Sequence, residues 1–413
     1  MPDLPIVRLH DELRKAARGQ WAVFLGAGSS YDFGIPTMLE MAERLKTILT
    51  DAERAPALSA TSVEVLRAVI PDAAGTARRW DVEQLLTRLY QVYEALHGGD
   101  MPFASVSAYI GERLLSPQQL QQTEQELLSL MAGMCELDSY ASSGHGGGSV
   151  EYLANFITSF SAFGDCLNVF TTNIDQCFEA ATVRLSQRPR RERRAEFRLV
   201  DGFDTGLVPT FDLGNYRTSA ERHGVRPVFY WKLHGSIDWT FSSSVAASGN
   251  SRTDTAPDPV FDDSSIIMRR NDQLWSKLHS CGAVNTPPDA NRRRIAIFPT
   301  PAKYSQTYTF PYMDLFEAFR RTLEQTQILV VVGTSFPDQH IRSAVRSFCE
   351  RDNTLLFVID PCVTEGALTS VLGQSKSIQP IISKGFADFI EEFQELEQAG
   401  ESVSYQAGVG GKE

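Results

Sequence analysis

The sequence predicts an α/β protein built on a doubly wound, mostly parallel, Rossmann-like sheet that carries a helical insertion. Two observations predict this fold. Short runs rich in Val, Ile, Leu and Phe recur along the 413-residue chain, and segments with helical spacing of apolar residues separate them. Runs that are apolar at consecutive positions indicate strands buried on both faces, which is typical of a parallel sheet covered by helices.

The apolar runs define the predicted strands in chain order. They lie at residues 20–26, 166–172, 228–233, 295–298, 327–333 and 355–360. Helical spacing follows the first strand from residue 36 and recurs at 152–160, 174–185 and 338–351.

A further helical pattern fills residues 51–137 and is clearest where Asp81 precedes an apolar stripe. The stripe consists of Val82, Leu85, Leu86, Leu89, Tyr93 and Leu96. We therefore expect a core of residues 1–50 and 150–400, a helical insertion at 51–149 and a flexible tail at 401–413. A glycine-rich joint at 142–149 and a polar surface loop at 242–259 are also predicted.

Composition argues against several classes of protein. The chain has 51 acidic and 39 basic residues, and its net charge of −12 repels nucleic acid over most of the surface. Six cysteines without paired spacing are typical of buried thiols in a reducing compartment. Neither a secretory signal nor an apolar run of about 18 residues is found. We expect a cytoplasmic protein without direct contact to nucleic acid or membrane.

A dense basic cluster at residues 184–198 stands out on this acidic chain. The simplest interpretation is a solvated helix end and loop, and a subunit or partner contact is the alternative.

The first predicted strand ends in GAGSS, followed by GIP. Gly26 and Gly28 permit a tight turn and a close backbone approach, and the start of the following helix offers N–H groups to a diphosphate. A glycine turn after a strand is also a common structural element, and the full G-x-G-x-x-G spacing is absent.

The second strand ends in TTNID. Ligands of open α/β sheets bind at the carboxyl ends of the strands, so Asn173 and Asp175 lie where a substrate is expected. Both residue types also favour helix starts for structural reasons, and that alternative stays open.

The sequence KLHGS, residues 232–236, ends another apolar strand. His234 is the best candidate for a general base, because imidazole titrates near neutral pH and Gly235 leaves room for a substrate. A hydrogen-bonded structural histidine is the alternative.

The last two strands end in VGTSFPD and VIDP. Thr334 and Ser335 follow Gly333 and can donate hydrogen bonds to a phosphate or ribose, whereas Asp360 suits a ribose diol. Five motifs of this kind in one chain, at the ends of apolar strands, indicate a ligand site.

In this order, GAGSS with GIP, TTNID, KLHGS, GTS and VIDP resemble the sirtuin superfamily, especially its bacterial NAD-consuming branch of anti-phage defence. The resemblance spans residues 21–361 and implies a sirtuin-like fold with NAD as substrate. It implies that turn 26–30 holds the diphosphate, that Asn173 and Asp175 bound the nicotinamide ribose pocket, and that His234 is the base. The implied NAD-binding residues are Gly26, Ala27, Gly28, Ser29, Thr172, Gly333, Thr334, Ser335 and Asp360, the last three holding the adenosine half.

The chain also departs from the protein deacylases that it resembles. These carry a zinc ribbon of two CxxC pairs after the HG motif, whereas this chain has only Cys281 between Gly235 and Ile295. We therefore expect no zinc and no other metal. The deacylase sequence GIPDFR is GIPTML here, and the loop that pairs with an acyl-lysine peptide has no recognisable counterpart near residues 299–304.

The resemblance implies an NAD⁺ hydrolase that releases nicotinamide and ADP-ribose, with water as the acceptor. The alternatives are a protein deacylase or ADP-ribosyltransferase that uses the same cleavage, and a non-catalytic NAD sensor or scaffold. Because free NAD⁺ cleavage would drain the cell, the activity has to be gated. We expect a homo-oligomer that assembles with a partner, and resemblance to sirtuin-containing defence systems implies a HerA-type hexameric ATPase.

Overall fold

The structure is a computed structural model, in which the protein consists of two compact units. Unit 1 comprises Met1–Phe33, Gly148–Ala296 and Pro311–Glu413, and unit 2 comprises Gly34–Gly147 and Ile297–Phe310. The structure describes residues 4–16, 19–50, 58–69, 82–97, 108–110, 113–135, 151–188, 196–204, 209–218, 225–241, 266–268, 294–297 and 307–409. The predicted joint 142–149, the polar loop 242–259, the segment 299–304, Asp81 and Cys281 lie outside these ranges.

The strands of the described part are short. They are β1 Trp21–Leu25, β2 Ala108–Ile110, β3 Arg113–Leu115, β4 Leu167–Thr171, β5 Glu196–Val200, β6 Val225–Lys232, β7 Gly235–Phe241, β8 Ile266–Met268, β9 Arg294–Ala296, β10 Ile328–Val332 and β11 Leu355–Ile359.

The helices alternate with these strands. They are α1 Leu4–Lys15, α2 Met38–Thr50, α3 Ala60–Val69, α4 Val82–His97, α5 Pro117–Met134, α6 Glu151–Phe160, α7 Cys177–Gln187, α8 Asn215–Thr218, α9 Tyr312–Gln325, α10 Gln339–Cys349, α11 Glu365–Leu372 and α12 Phe386–Val409. None of the described helices is long and apolar enough to cross a bilayer.

Unit 1 is organised around a six-stranded parallel sheet in the order β11-β10-β1-β4-β6-β5. From the central β1 the chain adds β4, β5 and β6 on one side, and it later adds β10 and β11 on the other. This reversal of direction confirms the predicted doubly wound, Rossmann-like fold. In such sheets a crevice between the two halves opens at the carboxyl ends of the strands.

Side chains cover both faces of the sheet. Every residue of β1 and β10 is buried, and successive side chains of a strand point to opposite faces. Helix α6 packs against α7 and α12, and α12 also packs against α1, while α10 packs against α9 and α11. The continuous apolar runs in the sequence are therefore explained by burial on both sides.

An aromatic cluster joins α6 to α12. Phe156 contacts Phe386, and Phe160 contacts Phe389 and Phe393, with ring centroids 5.0–6.4 Å apart. Such pairs contribute about 0.5–1.5 kcal/mol each beyond the burial of their area. The anchored helix runs to Val409, so that residues 401–409 are helical where the sequence predicts a flexible tail. Once a helix is nucleated, each further residue adds one hydrogen bond, which favours such an extension.

A second, antiparallel sheet in the order β8-β7-β9 follows β6. Gly235 opens β7 with a φ of +70°, and a Cβ there would lie 2.2 Å from the Ile295 carbonyl oxygen. The space beside Gly235 is thus filled by the backbone of β9. The prediction that this glycine leaves room for a substrate is wrong.

Unit 2 contains α2 to α5 and a hairpin of β2 and β3. Helix α5 begins with a capping box, in which Ser116 and Gln119 bond each other's backbone N–H groups. On α4, Val82, Leu85, Leu86 and Leu89 are buried, as the apolar stripe predicts. The hairpin was not predicted, because three-residue strands are too short to show an alternating pattern.

Alanine substitutions at Gly333, Gly373 and Gly366 distinguish the energetic cost of backbone strain from that of steric overlap. Gly333 has a φ of +63°, and a Cβ there would lie 2.5 Å from the Ser29 nitrogen. Gly373 has a φ of +86° but open space, and Gly366 in α11 has open space without a positive φ. We predict that Gly333→Ala lowers the free energy of unfolding by about 3 kcal/mol and Gly373→Ala by about 1–2 kcal/mol, whereas Gly366→Ala raises it by about 0.5 kcal/mol.

Urea denaturation of the three variants beside wild type measures these differences. Equal losses for Gly333→Ala and Gly373→Ala would show that steric overlap with the turn after β1 contributes nothing.

Candidate active site

The carboxyl ends of five adjacent parallel strands form one row at the edge of the sheet. Register pairs Ile359 with Val332, Val332 with Leu25, Leu25 with Thr171, and Thr171 with Lys232. Each of the five sequence motifs overlaps or directly follows one of these residues. Because neighbouring strands lie about 4.8 Å apart, the row spans roughly 19 Å. The structure therefore brings all five motifs to one edge.

The turns after β1 and β10 are in backbone contact. The Gly26 N–H donates to the Val332 carbonyl at 2.8 Å, and the Gly28 N–H donates to the Gly333 carbonyl at 2.9 Å. A Cβ on Gly26 would lie 2.4 Å from Thr334 Cβ, and one on Gly28 would lie 2.8 Å from Gly333 Cα. Packing between the two turns is thus sufficient to require glycine at 26 and 28.

This contact restricts what the first turn offers a phosphate. The N–H groups of Gly26, Gly28 and Ser29 all donate to carbonyl groups of the protein. The residues directly after β1 form a 3₁₀ helix, Ala27–Phe33, whereas the predicted helix α2 belongs to unit 2. Ala27 is exposed and Gly28 half-buried, so they form the open part of the turn.

Asn173 connects the end of β4 to this turn. Its side-chain Nδ2 lies 2.9 Å from the Gly26 carbonyl, 3.2 Å from Ser29 Oγ and 3.1 Å from Ser30 Oγ. Its backbone N–H donates to Thr171 Oγ1 at 2.9 Å. The side chain is buried and holds the glycine turn in place, which a helix cap would not do.

The contacts of Asp175 agree better with the alternative interpretation, a residue that stabilises a helix start. Its Oδ1 accepts a hydrogen bond of 2.9 Å from the Cys177 N–H at the start of α7. This bond satisfies one of the unpaired N–H groups at a helix start.

A buried lysine ties the TTNID loop to the KLHGS turn. Lys232 is 1% exposed, and its Nζ donates to Glu179 Oε1 and to Ser236 Oγ, both at 2.7 Å. It also donates to the Asp175 carbonyl. One ammonium group therefore connects β6, β7, α7 and the loop after β4.

Burial and neighbouring charges shift the pKa values of Lys232 and of two carboxyl groups near it. Burial raises the pKa of Glu179 to about 7, against the opposing effect of Lys232. Burial likewise raises the pKa of Asp201 to about 6. Burial alone would lower the pKa of Lys232, but Glu179, Asp238 and Asp175 outweigh it and hold that pKa above its usual value. Lys232 is therefore charged at neutral pH, and carboxylates surround it.

His234 lies beside a carboxylate of the motif after β10. Its Nε2 is 4.0 Å from Asp338 Oδ2, and both side chains are buried. The His340 ring lies 5.7 Å from the His234 ring, and Phe316 contacts His340 edge-on at 5.1 Å. Imidazole and carboxylate side chains therefore meet at the carboxyl end of the sheet.

The remaining predicted residues follow the same edge. Thr334 Oγ1 accepts from the Phe336 N–H at 3.2 Å, and Ser335 is exposed. Asp360 Oδ1 accepts from the N–H groups of Cys362 and Val363 at 2.8 and 3.0 Å. Thr172 is half-buried beside Asn173.

Sequence reasoning missed the side chains that surround His234. The sequence predicts no individual role for Asp338, His340, Lys232 or Glu179. One signal was available for Lys232, since a lysine within the apolar run VFYWKL needs a buried partner. The meeting of Asp338 with His234 has no local signal, because it depends on strand order.

The basic cluster is only partly the solvated loop that the sequence predicts. Arg184 and Arg188 at the end of α7 pair with Glu151, and Arg188 also donates to Asn155 Oδ1 at 2.7 Å. Residues 189–195 lie outside the described ranges, and Arg198 belongs to the edge strand β5. Within the described ranges, no group of three or more His, Cys, Asp and Glu side chains could hold a metal ion.

The Lys232–Glu179 pair generates a stability prediction. Lys232→Met leaves Glu179 and Asp238 buried without the ammonium group, and we expect a loss of about 3–5 kcal/mol in the free energy of unfolding. In the double variant Lys232→Met with Glu179→Gln, the loss should be at least about 1 kcal/mol smaller than in Lys232→Met alone, because the uncompensated Glu179 carboxylate is gone. Urea denaturation at pH 7.5 measures all four forms, and purely additive losses would contradict the pairing.

Comparison with known proteins supplies the family. Residues 167–381, just over half of the chain, match the SIR2-like domain. A search of curated proteins finds no match.

Solved structures similar to this chain include several Sir2 proteins. A Sir2 homolog–NAD complex has 12% identity and a TM-score of 0.39, with 94% of each chain covered. A structure on the mechanism and regulation of Sir2 enzymes has 13% identity and a TM-score of 0.38, covering 95% of this chain and 98% of that one. A Sir2 protein bound to a propionylated peptide has 10% identity and a TM-score of 0.35, covering 96% and 98%. The family assignment rests on the profile match: this chain belongs to the SIR2-like domain family.

Proposed function

We propose that this protein is an NAD⁺ hydrolase that cleaves the bond between nicotinamide and ribose. The observation that carries the proposal is the row of five motifs along one sheet edge, with Asn173 and His234 just after the neighbouring strands β4 and β6. Membership of the SIR2-like domain family supports NAD as the ligand.

In the proposed reaction, the C1′–N1 bond breaks and its electron pair stays on the nicotinamide nitrogen. The ribose passes through an oxocarbenium-like state, and a water oxygen then bonds to C1′. His234 takes a proton from the attacking water or from a ribose hydroxyl and passes it to solvent. The products are nicotinamide, ADP-ribose and one proton.

The other residues have supporting roles in this proposal. Asn173 holds the glycine turn through its buried side-chain amide, which is expected to keep that turn open to the nicotinamide ribose. Asp175 keeps α7 and the loop after β4 in place through the Cys177 N–H. Thr334, Ser335 and Asp360 follow β10 and β11, where the adenosine half would bind.

Water is the proposed acceptor because two features of peptide-using deacylases are missing from the sequence. GIPTML replaces GIPDFR, and the two CxxC pairs of a zinc ribbon do not occur. Deacylation is the second candidate, because membership of the SIR2-like domain family supports it equally.

One assay separates the candidates. Purified protein is incubated with NAD⁺, with and without a propionylated or acetylated peptide. Nicotinamide, ADP-ribose and deacylated peptide are then quantified. Equal release of nicotinamide and ADP-ribose without peptide supports hydrolysis. Release that requires the acyl peptide would establish a deacylase, transfer of ADP-ribose to protein a transferase, and binding without release a sensor.

We predict that His234→Ala lowers the rate of nicotinamide release by about 10²–10⁴-fold, the usual contribution of a general base. The fold should stay intact, which circular dichroism and thermal unfolding can check. His97→Ala, at the end of α4 in unit 2, is the matched control and should keep the wild-type rate. Turnover of His234→Ala at the control's rate would remove this histidine from the mechanism.

We further propose that the activity serves anti-phage defence in the cytoplasm and is gated by assembly. The support is the resemblance of the motifs to the defence branch and the cost to a cell of ungated NAD⁺ cleavage. We predict a homo-oligomer whose NAD⁺ cleavage changes at least tenfold when a HerA-type ATPase is added. Sedimentation and the nicotinamide assay test this together. A fully active monomer whose rate of NAD⁺ cleavage does not change when the partner is added would refute it.

A further inference from the structure

We propose that Asp338 is a positioning residue that orients the imidazole of His234 for catalysis. The inference rests on the proposed function and adds a residue to which no role in that function has yet been given. Its basis is the 4.0 Å approach of Asp338 Oδ2 to His234 Nε2 between two buried side chains.

Asp338 occupies a helix start without capping the helix. It is the N-cap residue of α10, where an aspartate side chain ordinarily accepts from the N–H groups of the first turn. No such capping bond is made by its side chain, although its backbone carbonyl accepts from the Arg342 N–H at 2.9 Å. Capping of α10 therefore does not explain the aspartate at this position, and its carboxylate lies beside His234.

The loop before Asp338 is held in an unusual conformation. Gly333 has a φ of +63°, and Phe336, a residue with a side chain, has a φ of +55°. Phe336 is 1% exposed, and its N–H is bonded to Thr334 Oγ1. Positive φ in a bulky residue is costly and persists only where surrounding packing determines it. Buried Phe336 thus anchors the segment that places Asp338.

The chemistry of the pair fits a base. A carboxylate that accepts from one imidazole nitrogen selects the tautomer whose other nitrogen has a free electron pair, and it stabilises the cation formed on proton uptake. At 4.0 Å the pair is longer than a hydrogen bond, and catalytic contacts often shorten only when substrate binds. The His340 ring contacts Phe316 edge-on and lies 5.7 Å from the His234 ring, tilted by 41°.

The kinetic test uses Asp338→Asn and Asp338→Ser, because Asn and Ser start helices as well as Asp does. We expect kcat for nicotinamide release to fall about 10–100-fold in both variants, with KM for NAD⁺ changed less than about twofold. Glu350→Gln, at the exposed far end of α10, is the matched control and should keep the wild-type kcat.

A double variant separates positioning from a structural effect. In a His234→Ala background, Asp338→Asn should lower the residual rate less than twofold, because the group that it orients is gone. A loss of equal size in both backgrounds, or no loss in wild type, would overturn the proposal.

A spectroscopic readout keeps the proposal independent of the reaction. In protein labelled with ¹⁵N-histidine, the imidazole nitrogen shifts of His234, assigned with His234→Gln, report which nitrogen carries the proton. We expect a proton on Nε2 in wild type and a changed tautomer ratio in Asp338→Asn. If wild type released no nicotinamide, the proposed function would fail, and unchanged His234 shifts in Asp338→Asn would separately refute the role of Asp338.

Discussion

The backbone contact between the turns after β1 and β10 is the constraint on which the site depends. Gly28 donates to Gly333 at 2.9 Å, and a Cβ on Gly26, Gly28 or Gly333 would lie within 2.8 Å of the facing turn. β1 and β10 lie at the switch point of the doubly wound sheet, so this contact fixes the two halves of the sheet relative to each other at the base of the crevice. Thr334 directly follows Gly333, and Asp338 ends the same motif, so the positions of both depend on this contact.

A second constraint comes from polar groups buried under the row of motifs. Removing an ammonium and a carboxylate from water costs several kcal/mol per ion unless their hydrogen bonds are made inside the protein. Lys232 makes its bonds to Glu179, Ser236 and the carbonyl of Asp175, which lie on different elements. The bonds that offset burial of the charge therefore also fix the loop after β4 relative to the turn that carries His234.

Asn and Asp residues at strand ends have different roles in this protein, although they look alike in the sequence. Asp175 bonds the start of α7, and Asp360 bonds the turn that follows it. Asn173 instead connects to the glycine turn, and Asp338 leaves its helix uncapped and approaches His234. A polar residue directly after a buried strand is thus predicted to lie at the carboxyl edge of the sheet. Whether that residue acts in a site depends on the group that its side chain contacts.

The sequence by itself determined the α/β class, the strands of the parallel sheet other than β5, and the five motifs at strand ends, because these follow from local apolar runs and glycine placement. It did not reveal the hairpin in unit 2, the full length of α12 or the edge strand β5, since such elements have weak local patterns and are stabilised by packing. Strand order and register were decided only by the tertiary structure. They bring Asp338 to His234 and Asn173 to Gly26, and contacts between residues so distant in sequence leave no trace in local propensity.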